Sequence, residues 1–291
     1  MADLVRIGSG ALSAAINPFG AELTHLSDAQ GRELMTDADP AYWKGRAPLL
    51  FPIVGRLNGD AYRLDGQRYA MPKHGFARRL PFEVMEAAED RATFRLTDSE
   101  ETRAAYPFAF ALKMAFAVED ATLTMTASVT NTGDRDMPAS FGFHPAFAWP
   151  LPYGAPRADH RIDFAEDEPG ALRAITPDGL IGVEPKPSPL DGRTLYLSDA
   201  LFADDALVWA PVESRILRYG AGAGFPSLDI AYDASMLGVW TKPGAAYVCV
   251  EPWHGIADPA GFAGEIWDKP GIERLAPGGR REFRMTVTLV S

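Results

Sequence analysis

The sequence predicts an all-β chain, one large antiparallel β-sandwich spanning residues 1–291 as a single domain. Three observations carry this expectation. Apolar and polar residues alternate with period two through most of the chain, turn-forming residues recur at close spacing, and helical patterns are few and short. No repeat of fixed length is present, which argues against a propeller.

The elements follow in chain order. "DPAYW", at 39–43, has proline near the first position of a single helical turn. "AYRLDGQRYAM" reads as a hairpin whose Asp65-Gly66 pair supplies the positive φ angles of a tight turn. "FEVMEAAEDRATFRLTD" reads as a second hairpin. "DSEETRAAY" is a short helix, with Ser99 as N-cap and acidic residues in its first turn. The clearest hairpin is "FALKMAFAVEDATLTMTASVTN". Leu112, Met114, Phe116 and Val118 share one face, and Leu123, Met125, Ala127 and Val129 continue it past the Glu119-Asp120 turn. Thr122, Thr124, Thr126 and Ser128 form the polar face. Residues 151–194 are rich in Pro, Gly and Asp and read as a long excursion over the sandwich. Further strands are expected in "RTLYLS", "ALVWA", "RILRY", "SLDIAY", "LGVWTK", "AYVCVEP" and "REFRMTVTLV", with one more helical turn at "DPAGFAGE".

Composition narrows the function. Apolar residues make up 47 % and charged residues 23 %, and the formal net charge is −11. An acidic chain without a basic stretch does not suit nucleic acid, and it is repelled by anionic membranes. One cysteine, Cys249, excludes a disulfide within the chain; in "YVCVEP" it reads as a small buried hydrophobe. The opening "MADLVRIGSG" lacks the apolar core of a secretory leader, and no apolar run is long enough to span a bilayer, so a cytoplasmic protein is expected.

Four clusters place polar residues where apolar strands run into loops. "GRAPLLFPIVGRLNGD" holds Arg46 and Arg56. "PKHGFARRLPF" holds His74, Phe76 and Arg78. "ASFGFHPAFAWP" holds His144, and "CVEPWHGIAD" holds Glu251, Trp253, His254 and Asp258. Glu251 and His144 share one arrangement, an apolar strand, then the titratable residue, then proline. Proline ends a ladder, so each is expected at a strand end. Each is either a structural group or half of a general acid–base pair. His74, before Gly75, can sit on a sharp turn that faces a cleft, and Arg56 after Gly55 likewise. Trp43, Phe76, Trp149, Trp240 and Trp253 lie near these groups, and aromatic rings beside polar donors suit a sugar. "GAGAGF" lacks the spacing of a dinucleotide loop, no G-x-S-x-G elbow is present, and nothing in the spacing of His74, His144 and Glu251 favours a metal.

Taken together and in order, "APLLFPIVGRL", "KHGFARRLPFEV", "YPFAFAL", "SFGFHPAFAWPL" and "GVWTKPGAAYVCVEPWHGIAD" resemble the aldose 1-epimerase family, the galactose-mutarotase-like proteins, from about residue 10 to the C-terminus. The resemblance implies a large β-sandwich and interconversion of the α and β anomers of an aldose without a cofactor. It implies Glu251 as general base, His144 as general acid, and His74 and Arg56 as residues that hold sugar oxygens. Asp205, in "FADDALVW", is the nearest candidate for an aspartate that binds hydroxyls. Trp253 and Phe76 are added as binding aromatics. His254 is read as a loop residue. Relatives acting on hexose 6-phosphates resemble "GRAPLLFP" and "HGFAR", which makes Arg46 and Arg78 candidates for a phosphate clamp. A free aldose, a hexose 6-phosphate, or sugar binding without turnover therefore remain as readings, for a monomer or homodimer whose partner is a small sugar.

Overall fold

Two antiparallel sheets dominate the computed structural model, which describes residues 3–291; the first two residues of the stretch read for a leader lie outside the described residues. The larger sheet has nine strands. It contains the predicted hairpin of Phe110–Glu119 and Thr122–Asn131, with Asp120 at φ 48° in the turn. Arg280–Val290 pairs with Thr122–Asn131, and Glu83–Ala87 and Arg91–Thr97 extend the other side. Leu112, Met114, Phe116 and Val118 are buried, as are Leu123, Met125, Ala127 and Val129. Period two thus marks the core face directly. One hydrophobic cluster runs from Ile7 to Val287.

The second sheet has seven strands. Phe141–Gly142 and Ala146–Ala148 both flank Tyr247–His254, followed by Met236–Trp240, Leu207–Trp209, Leu172–Ile175 and Ile181–Lys186. Three smaller sheets complete the fold, including the predicted Ala61–Leu64/Gln67–Ala70 hairpin with Asp65 and Gly66 at positive φ. The one α-helix among the described residues, Glu100–Ala105, is capped by Ser99, whose side chain accepts from the Thr102 N–H while the Thr102 hydroxyl accepts from the Ser99 N–H.

Four expectations change. Residues 151–194 are not an excursion, since Arg161–Phe164 and Thr194–Tyr196 join the nine-stranded sheet while Leu172–Ile175 and Ile181–Lys186 join the other. "DPAYW" forms hydrogen-bonded turns rather than a helix, with the Tyr42 and Trp43 N–H groups both donating to the Asp39 carbonyl. "DPAGFAGE" is also non-helical, and a single 3₁₀ turn, Ile266–Asp268, follows it. Finally, the ladder does not end at Glu251. The strand continues through Pro252 to His254. Pro252 is tolerated because its carbonyl accepts from the Phe143 N–H, so the edge that lacks a donor faces the irregular stretch 143–145 rather than the continuous strand at Leu237.

No helix among the described residues is long and apolar enough to cross a membrane.

Candidate functional site

Strand register builds the site. Phe141–Gly142 and Ala146–Ala148 flank a break, and pairing of Gly142 with Trp253 and of Ala146 with Cys249 sets His144 opposite Glu251. Two prolines, Pro145 and Pro252, interrupt the ladder beside them, and the Val250 N–H donates to the Pro145 carbonyl. The titratable pair therefore sits at a break inside the sheet, held by strands on both sides. His144 Nε2 lies 3.1 Å from Glu251 Oε2. His144 is 8 % exposed and Glu251 2 %.

Burial pushes the Glu251 carboxyl well above its usual range; Lys73 draws it back and Asp205 pushes it further up. Burial lowers the His144 imidazole to about 3, and Arg78 and Lys73 add to that drop. Both shifts disfavour charge, so the pair holds one proton over a wide pH range. The same burial drives His74 well below its ordinary value. The Gly55 N–H donates to His74 Nδ1 at 3.1 Å, which places the proton of this neutral ring on Nε2.

A cleft of about 290 Å³ opens onto the pair, on the scale of a small-molecule site. Its walls bring together His144, Glu251, His74, Arg78, Asp205 and Trp253. Trp43 and Trp240 stand beside His144, with ring centroids 5.0 and 6.0 Å away. The Trp253 ring occupies space left by two glycines: a Cβ on Gly238 would stand 2.5 Å from it and one on Gly142 2.7 Å.

His74 and Gly75 both adopt left-handed backbone, φ 66° and 70°, and this turn aims the imidazole at the cleft. A Cβ on Gly75 would stand 2.1 Å from the Phe51 carbonyl oxygen. Gly75→Ala is expected to lower stability by at least ~2 kcal/mol, through the forced left-handed residue and the backbone clash. Urea unfolding measures it, and an unchanged midpoint refutes the strain.

Three predicted residues lie elsewhere. The Arg46 guanidinium donates to the Thr24, Thr36 and Asp37 carbonyls and does not line the cleft, so Arg46 and Arg78 form no clamp. Arg56 forks onto Asp60, with both hydrogen bonds at 2.8 Å, and also donates to the Asp178 carbonyl; Gly55 is the cleft residue instead. Phe76 packs among Phe51, Tyr106 and Phe110 as a core aromatic. His254 ends the Tyr247–His254 strand, away from the cleft, with Nε2 3.1 Å from Asp233 Oδ1; the loop role gives way to a strand position hydrogen-bonded to Asp233. Among the residues that sequence reasoning missed, Lys73 and the wall formed by Ile175, Gly179 and Ile181 matter most. Lys73 precedes His74 directly, so its place beside a predicted cleft residue was a usable signal.

A buried ion pair braces one wall. Lys269 Nζ donates to Asp258 Oδ1 at 2.9 Å and to the Ile256 carbonyl, and Asp258 Oδ2 accepts from the Asn58 N–H. The Asp258 N–H also donates to the Arg56 carbonyl, which ties the 255–260 loop to the loop carrying Gly55. Lys269→Met strands Asp258 and is expected to cost about 3–5 kcal/mol. Chemical denaturation checks it, and a loss below 1 kcal/mol on the same scale contradicts it.

Known proteins share this architecture. The model of the aldose 1-epimerase family matches residues 3–168, a stretch that includes His74, Arg78 and His144. The X-ray structure of a galactose mutarotase related enzyme from Lactobacillus acidophilus superposes with a TM-score of 0.91 at 31 % identity, over 99 % of this chain and 98 % of that one. A galactose mutarotase-like protein from Lactobacillus casei ATCC 334 gives 0.92 at 28 % identity, over 99 % of this chain and all of its own. Chromosomal protein LacX of Lactococcus lactis subsp. lactis is 29 % identical over 290 residues, 96 % of this chain and 97 % of the relative. The fold is thus galactose mutarotase-like. The chain belongs to the aldose 1-epimerase family, and Glu251, beyond the family match, lies in the span that both structures cover.

Proposed function

We propose that this protein is an aldose 1-epimerase, a mutarotase that opens and recloses the hemiacetal ring of an aldose by proton transfer alone. The observation that supports it is the 3.1 Å contact between His144 and Glu251 on the cleft floor. The two oxygens that exchange protons in this reaction, O1 and the ring oxygen, are bonded to the same carbon. An acid and a base serving them together must therefore stand side by side.

In the forward step the pair's single proton first passes from Glu251 to His144 across their 3.1 Å contact; Glu251, now a carboxylate, removes the O1 proton while protonated His144 delivers its proton to the ring oxygen. The bond between C1 and the ring oxygen breaks and leaves an open-chain aldehyde. Glu251 is now a carboxylic acid and His144 a neutral imidazole, the tautomer that burial favours. Rotation about C1–C2 presents the other carbonyl face, and closure runs the two transfers backwards. Trp253 offers an apolar surface to the sugar ring, His74 Nε2–H is a donor, and Asp205 at the rim is an acceptor for hydroxyls. Proton transfer asks for no cofactor. A sugar-binding protein without turnover would need the hydrogen bonds but no matched acid and base.

Exchange spectroscopy by NMR on glucose, galactose and arabinose tests the proposal. Anomer exchange faster than buffer, in proportion to enzyme concentration, is expected. A folded protein that accelerates none of the three would leave the phosphorylated-aldose and binding readings.

A second reading, a phosphorylated aldose as substrate, is favoured by the charge of the cleft. Lys73 and Arg78 line it in a chain of net charge −11, and among the described residues neither makes an ion pair with a carboxylate. On this reading glucose 6-phosphate has a higher kcat/KM than glucose. Arg78→Ala then raises KM for the phosphate ester by roughly 10-fold or more and leaves KM for free sugar nearly unchanged. Equal efficiency for both sugars excludes it.

A further inference from the structure

We propose that the floor of the cleft is also a binding site for a thiophilic divalent cation, of which Zn²⁺ is the best fit, with His144, Cys249 and Glu251 as its ligands. One donor atom from each of the three lies within 4.8 Å of the other two. The strand explains the convergence. Cys249 and Glu251 are two residues apart on Tyr247–His254, so their side chains leave the same face. The register that puts Ala146 opposite Cys249 brings His144 opposite Glu251, on that face as well.

The donor set suits the ion. Imidazole, thiolate and carboxylate are zinc ligands, and three protein ligands with a fourth position open to a cavity is the usual arrangement of an accessible zinc site. Bonds of about 2.0–2.3 Å around a tetrahedral ion set ligand atoms roughly 3.3–3.8 Å apart, so modest side-chain adjustment closes the triad. Two of the three ligands line the cleft, which supplies entry and the open position, while Cys249 lies fully buried beneath them.

Binding displaces two protons, the one shared by His144 and Glu251 and the one on the Cys249 thiol. Affinity therefore rises with pH. Lys73 and Arg78 oppose the approach of a dication, so the expected affinity is weaker than that of a structural zinc site. Metal and sugar compete for the same two groups, so turnover would be inhibited. That consequence rests on the mutarotase reading, but the binding does not.

Titration of the whole chain with Co²⁺, followed in the near ultraviolet, tests the site. Cys249 is the only cysteine, so any thiolate-to-cobalt charge-transfer band comes from it. A saturable band is expected, one that Zn²⁺ erases and that Cys249→Ser lacks. Competition with a chromophoric chelator should show Zn²⁺ bound at least about tenfold more weakly in Glu251→Gln, the loss of one charged ligand. No band in folded wild-type protein overturns the proposal, as does Zn²⁺ affinity unchanged in Glu251→Gln. If Cys249→Ser does not fold, the wild-type band and its displacement by Zn²⁺ decide. Because this readout is spectroscopic, it stands or falls separately from any effect on anomer exchange.

Discussion

Glu251→Gln is expected to lower kcat for anomer exchange by about 100- to 10,000-fold, the usual worth of a positioned general base. The amide has the carboxyl group's shape but cannot take the O1 proton. KM should change little, since the amide keeps hydrogen-bonding capacity at the same place. Stability should move the other way. A carboxyl 2 % exposed, with its pKa driven up by burial, is held at a cost that a neutral amide does not bear. The variant is therefore expected to melt at the same temperature or higher. NMR exchange rates and thermal unfolding measure the two effects on one preparation. Activity within a few-fold of wild type would remove Glu251 from the chemistry. Activity lost together with the fold would show a structural role instead.

The two halves of the site differed in how far the sequence disclosed them. His144 and Glu251 were legible because a titratable residue inside an apolar alternating strand is a local signal. His144 does lie where a strand breaks, but the placement of Glu251 at a strand end was not correct, because the rule that proline ends a ladder depends on which neighbour the missing N–H faces. At Pro252 it faces the irregular stretch 143–145, and the strand runs on to His254. The arginines show a second limit. Nothing local separates Arg46 from Arg78, since the carbonyls that hold Arg46 belong to Thr24, Thr36 and Asp37, which folding alone brings near. Arg56 was different: Asp60, four residues on in "GRLNGD", is a ready partner and could have been weighed.

Strand detection failed for a related reason. The nine-stranded sheet has one buried face over most of its length, and alternation exposes it. Ile181–Lys186 is largely exposed on both faces and contains Pro185, so no period marks it. Yet Ile181 reaches the cleft, and its N–H donates to the Asp258 carbonyl. Here one wall of the candidate cleft depends on a strand whose pairing is set by its neighbours rather than by its own sequence.

His144→Asn is expected to lower kcat by a comparable 100- to 10,000-fold and, more tellingly, to change the shape of the pH profile. The wild-type reaction needs one proton on the pair. A second proton must charge a buried imidazole, and burial holds His144 down to about 3, so the acid limb should appear only near that pH. Losing the single proton must ionise a buried carboxyl, and burial raises Glu251 well above its usual value, so the basic limb moves up. Separate, exposed groups would give limbs near 4.3 and 6.5. The coupled pair instead predicts a plateau that extends beyond both, and these limbs belong to the pair rather than to either residue. In His144→Asn only the carboxylate remains. Its residual rate should climb with pH through the raised Glu251 value, with no basic fall. The double variant His144→Asn/Glu251→Gln should lose little more than either single one, because the two groups act in one concerted transfer. A narrow wild-type optimum bounded by ordinary carboxyl and imidazole values would refute the coupled, buried pair. Multiplicative losses in the double variant would show that the two residues act independently.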